Sequence, residues 1–100
     1  MTISIASASK EIEALMNSPA GKSVKGFQPK DSKKIRRQLS VIVAAESMIE
    51  IINAHPEWDV HRYKGDERIW SFSVGGATRL LMEWNAERKQ VSNLRFDNPH

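Results

Sequence analysis

A small set of side chains holds most of the chemistry open to this sequence. His55 precedes Pro56, and His61 opens the run His61-Arg62-Tyr63-Lys64-Gly65-Asp66. Arg79 follows the Gly75-Gly76 pair closely, and His100 is the last residue. There is no cysteine, so thiolate catalysis and thiolate metal sites are excluded. The three histidines lack the paired spacing of a zinc site, and no carboxylate cluster joins them, so neither metal nor other cofactor is expected. Two histidines with an arginine and a lysine suit metal-independent cleavage of RNA. A base takes the proton of a ribose 2′-OH, an acid protonates the leaving 5′-oxygen, and cations stabilise the charge building on phosphorus. Imidazole titrates near neutrality and can serve in either role. Spacing alone leaves a plainer reading open, in which His61 and His100 are an ordinary loop residue and an ordinary terminus.

These residues need elements to position them. Ser7 to Asn17 places Ile12, Leu15 and Met16 at helical spacing, with Ser9 as a cap. Thr2 to Ala6 is compatible with a short strand, and Ser18 to Gly21 is a break. Gly21-Lys22-Ser23 lacks the glycine five residues earlier, and the preceding strand, that a phosphate-binding loop requires; a flexible basic loop is expected instead. Pro29 to Ser32 reads as a helix entry capped by Asp31 or Ser32. Ile35, Leu39, Ile42, Ala45, Ile49 and Ile52 then form one apolar stripe to Asn53, with room for a bend near Ala44, before Pro56 closes the segment.

After Gly65 the period changes to two. Trp70, Phe72 and Val74 alternate with Ser71 and Ser73; Gly75-Gly76 signals a hairpin. Leu80, Met82 and Trp84 share a face opposite Arg79, Leu81 and Glu83, and Asn85 to Lys89 is a second turn. A third strand from Val91 to Phe96 sets Leu94 and Phe96 against Asn93 and Arg95. Helices followed by an antiparallel meander predict an α+β fold, with the helices packed on one face of the sheet.

One hundred residues, 40% of them hydrophobic and 27% charged, fit a single globular domain over 1–100. No apolar run reaches the roughly 20 residues of a membrane span. The N-terminus has no basic start followed by an apolar stretch, so no secretory signal is expected. With the lack of cysteine, a cytoplasmic location is the expectation. Net charge is +3, but Lys22 to Arg37 carries seven basic residues against Asp31 alone. A one-sided basic segment is the footprint of an anionic partner such as nucleic acid, or simply a solvated helix face.

In combination, His61 to Asp66, Trp70 to Val74, Arg79-Leu80 and the terminal His100 resemble the HigB-like killer toxins of the RelE/ParE superfamily. The resemblance extends in outline to the Gly21-Lys22-Ser23 loop and the helix through Ala44-Ala45, roughly residues 21 to 100. It implies a RelE-like α+β domain, with N-terminal helices on a small antiparallel sheet that ends in a three-strand meander. It implies the toxin of a type II toxin–antitoxin pair: a ribosome-dependent endonuclease that cuts messenger RNA and blocks translation. The partners implied are a helix-turn-helix antitoxin and the ribosome with messenger and 16S rRNA, without membrane or small-molecule cofactor. His61 falls on the family's catalytic histidine, Lys64 on its phosphate-binding lysine, Arg79 on the arginine near the scissile phosphate, and His100 on the terminal histidine. Lys22, Lys25, Lys33, Lys34, Arg36, Arg37 and Arg95 would grip RNA phosphates. Where the family commonly has Asp-Tyr before the last histidine, this chain has Asn98-Pro99. Two further readings remain: a non-enzymatic toxin of the same fold that poisons DNA gyrase by contact, and an RNA-binding homologue with little turnover.

Overall fold

A computed structural model describes residues 2–18, 29–63, 68–75 and 78–97. The Gly21-Lys22-Ser23 loop, Lys25, Lys64 to Asp66, Gly76 and Asn98-Pro99-His100 lie outside the described residues. The elements run β1 (Ser4–Ile5), α1 (Lys10–Asn17), α2 (Pro29–Ala44), α3 (Met48–Ala54), a 3₁₀ turn (Pro56–Trp58), β2 (His61–Arg62), β3 (Ile69–Gly75), β4 (Thr78–Asn85) and β5 (Gln90–Asp97).

The expected meander forms the centre of a larger sheet, ordered β1-β5-β4-β3-β2. Strands β3, β4 and β5 pair antiparallel. The short strand suggested near the N-terminus exists as β1 and pairs parallel to β5, while β2 pairs antiparallel with β3. The sheet is therefore mixed rather than purely antiparallel. Period-two burial follows from pleating. Phe72, Val74, Leu80, Met82 and Leu94 are buried against Ile12, Leu15, Ile35 and Ile42 of the helices.

Helix α1 is capped as the sequence predicts, with the Ile12 N–H donating to Ser9 Oγ at 3.3 Å. Helix α2 starts earlier than expected. Proline is suited to a first helical turn because its fixed φ is already helical and its missing N–H costs no intrahelical bond. The helix thus begins at Pro29, Asp31 lies in its first turn, and Ser32 is buried on its inner side rather than capping it.

The stripe to Asn53 does not lie on one helix. The chain leaves helical geometry over 45–47 and restarts at Met48. Ser47 caps the new start, with the Glu50 N–H donating to Ser47 Oγ at 3.2 Å and the Glu46 N–H to Glu50 Oε2 at 2.9 Å. The restart rephases the helix. Met48 and Ile51 become the buried positions, whereas Ile49, expected on the stripe, is 63% exposed.

Two local irregularities shape the sheet. Between the pairs Leu81–Arg95 and Glu83–Ser92, Met82 stands opposite both Asn93 and Leu94, a bulge with Asn93 at φ 52°. Ser7 fits this bulge, its Oγ accepting from the Asn93 N–H at 2.8 Å and its carbonyl from the Leu94 N–H at 3.2 Å. On β3, beyond the short β2, the Ser73 carbonyl accepts from Gln38 Nε2 of α2 at 2.8 Å. A buried helix side chain thereby satisfies a group that the short strand leaves exposed.

Candidate active site on the open face of the sheet

Residues paired across strands share a face, so the register defines what lies opposite the helices. One row reads His61, Ser71, Leu81, Arg95 across β2, β3, β4 and β5. The next reads Ser73, Arg79, Asp97. This face carries cations, acids and hydroxyls around a buried Leu81, where the other carries the main core. His61, Arg79 and Arg95 fall on it together. At about 4.8 Å per strand, His61 and Arg95 stand ~14 Å apart across it.

His61 and Arg79 converge on Asp59, a residue that sequence reasoning did not single out. The convergence begins with the 3₁₀ turn. His55 stacks on Trp58 with ring centroids 3.9 Å apart and planes 5° from parallel. Trp58 is buried and packs on Phe72 at 6.2 Å between centroids. So anchored, the turn ends with Asp59 in the left-handed region, φ 47° and ψ 50°, its N–H bonded to the Pro56 carbonyl. Aspartate tolerates that conformation better than most residues, because its short polar side chain can bond locally. The reversal aims the Asp59 carbonyl at the histidine two residues on, and His61 Nδ1 lies 2.7 Å from that oxygen.

The Asp59 carboxylate faces the same place. Its Oδ2 is 3.7 Å from His61 Nδ1 and 3.8 Å from Arg79 Nη2. Arg79 reaches across β3, and its Nη1 donates to Ser71 Oγ at 3.1 Å. Ser71 is fully buried on this face. The result is an imidazole and a guanidinium set side by side by one carboxylate and one hydroxyl, with the His61 side chain 46% and the Arg79 side chain 32% exposed. On the 3₁₀ turn, Glu57 is held below the usual carboxylate range, first by a hydrogen bond from its own backbone N–H and then by the nearby His55.

The other expected residues divide. Lys64 and His100, like Lys22 and Lys25, lie outside the described residues. Lys33 and Arg37 are exposed on α2, while Lys34 and Arg36 are half-buried on its flanks. Arg36 lines a groove with Leu15, Met16 and Val43, so it does not share an outward face with Lys33 and Arg37. Arg95 is on the open face, its Nη1 donating to the Asn93 carbonyl at 3.0 Å. A separate groove of about 580 Å³, lined by Trp70, Trp84, Met48 and Arg62 among others, contains neither His61 nor Arg79.

Among the described residues no three His, Asp or Glu side chains form a group fit to hold a metal ion, and no helix is long and apolar enough to cross a membrane. A signal for Asp59 was present in Trp58-Asp59, an aromatic anchor followed by a residue tolerant of positive φ, two residues before the histidine.

No protein-family model matches the sequence, and comparison with curated proteins gives no match. A solved structure, the archaeal RelE–RelB complex from Pyrococcus horikoshii OT3, contains a chain similar in fold. The TM-score is 0.52 at 15% sequence identity, covering 95% of this chain and 94% of that one. The likeness spans nearly the whole of both chains and shows a shared α+β fold: helices on one face of a mixed five-stranded sheet.

Proposed function

We propose that this chain is the toxin of a toxin–antitoxin pair and that the open face of its sheet cuts messenger RNA on the ribosome. The observation that carries the reading is the convergence of His61 and Arg79 on Asp59, on the face of the sheet opposite the helices in a RelE-like fold. In this mechanism an imidazole takes the proton from a ribose 2′-OH as O2′ attacks phosphorus. The P–O5′ bond breaks, an acid protonates the leaving oxygen, and the products are a 2′,3′-cyclic phosphate and a 5′-hydroxyl. Arg79 stabilises the charge on the phosphoryl oxygens. Lys64 and His100 join the site by their resemblance to the HigB-like pattern, Lys64 as a second cation on the phosphate and His100 as the other proton-transfer group. The exposed cations of α2 and Arg95 bind ribosomal RNA phosphates, and the protein works in the cytoplasm with a helix-turn-helix antitoxin as its partner. The solved neighbour comes from a complex of RelE with RelB, which supports a proteinaceous partner here.

Induction of the chain alone in a bacterial host tests the proposal. Growth arrest with new transcript 5′ ends inside coding regions, and cleavage of messenger on purified ribosomes, are the expected results. Soluble protein that leaves growth and translation unchanged would sink it. Arrest with DNA gyrase inhibited and messenger intact would replace it with the gyrase-poison reading.

A further inference from the structure

We propose that Asp59 is a positioning residue for His61: its main-chain carbonyl holds the imidazole as the Nδ1–H tautomer and leaves the Nε2 lone pair as the proton acceptor. The role in RNA cleavage rests on the function proposed above, whereas the tautomer does not.

The chemistry follows from what a carbonyl is able to do. It has no hydrogen to give, so a neutral imidazole 2.7 Å from the Asp59 oxygen carries its proton on Nδ1. The second ring nitrogen is then an acceptor, and it determines which role the histidine plays. Among the described residues, Nε2 has no hydrogen-bond partner. His61 therefore enters the reaction able to receive a proton, and the acid that protonates the 5′-oxygen is a different group. The proton passes from the 2′-OH to Nε2 as the O2′–P bond forms. The resulting imidazolium keeps its Nδ1–H on the carbonyl, with the Asp59 carboxylate 3.7 Å away to balance the new charge.

The local backbone makes this a fixed arrangement. An Asp59 in ordinary extended geometry would turn its carbonyl elsewhere. The left-handed φ of 47° sends it back over the chain toward residue 61, and buried Trp58 holds the turn from below. The Asp59 carboxylate lies 3.8 Å from Arg79 Nη2. Asp59 thus sets the spacing between base and cation with two different groups, its carbonyl for one and its carboxylate for the other.

Nitrogen-15 NMR of the His61 ring, at a pH where the imidazole is neutral, reads the tautomer without reference to activity. The parent is expected to show Nδ1–H; a predominant Nε2–H form overturns the proposal. Asp59→Gly keeps the left-handed backbone and the carbonyl but removes the carboxylate. It is expected to retain the Nδ1–H tautomer while messenger cleavage on ribosomes falls about 10- to 100-fold, the range expected for loss of one charged contact. A folded Asp59→Gly protein with the tautomer reversed overturns the assignment to the carbonyl. If the parent shows Nδ1–H but cuts no RNA, the nuclease reading fails and the positioning stands. If it cuts RNA with Nε2–H, the reverse holds.

Discussion

The two faces of the sheet are built from the same strands and held by different physics. On the helix side, Phe72, Leu80, Met82 and Leu94 are sealed from water, and their contribution is proportional to the apolar surface they remove. On the open side, directional hydrogen bonds set the arrangement: Arg79 on Ser71, His61 on the Asp59 carbonyl, and Arg95 on the Asn93 carbonyl. The difference teaches where each kind of substitution should be felt. Damage to the first face spreads through the whole domain, and damage to the second stays local.

The sharpest test of that division is Phe72→Ala. It removes a fully buried ring that also supports Trp58. The expected loss is ~3–5 kcal/mol, a large part of the stability of a small domain, read by urea or thermal unfolding. Arg79→Ala, on the half-exposed face, should leave the melting temperature close to that of the parent while cleavage on ribosomes drops on the order of 100- to 1000-fold. If both variants lose stability equally, the two faces are not independent.

Lys33→Glu with Arg37→Glu tests whether the outer surface of α2 belongs to either face. Ribosome binding should weaken, and its salt slope should fall by roughly one for each phosphate no longer neutralised. An unchanged slope would mark these lysine and arginine side chains as merely solvated.

The smallest effect expected is at Glu57. Its carboxyl is held below the ordinary value of 4.5, so its contribution to stability is present above that value and disappears as pH falls through the lowered one. Glu57→Gln should therefore melt slightly below the parent at neutral pH, and the gap should close on acidification. A gap that persists in acid would assign the effect to something other than the charge.

The two faces also differ in how far the sequence discloses them. Alternation from Trp70 to Val74 and from Arg79 to Trp84 discloses both faces of the meander, because a half-buried strand must change polarity at every residue. Strand β2 is two residues long and cannot show a period, so the register that brings His61 beside Ser71 is invisible until the strands pair. The break after Ala44 was hidden for another reason. Two successive helices that bury the same side mimic one stripe, and only the pattern Ser47-x-x-Glu50 announces a second start. Asp59 was hardest to foresee, since its part depends on a backbone angle and not on its place in any periodic pattern. Arg79 was legible because a charged residue in a strand must face away from the core.

The parallel pairing of β1 with β5 has a kinetic consequence. Ser7 and Asn93, bonded to each other, are 86 positions apart in the chain. Closing so long a loop costs entropy before any pairing rewards it, so β1 is expected to join after the local pairs of β3, β4 and β5. Until then the β5 edge that receives β1 stays unpaired, even if the meander has already formed. Newly made molecules should therefore pass through a state with the open face assembled and that edge bare, the interval in which a strand from another polypeptide would compete best for the place of β1.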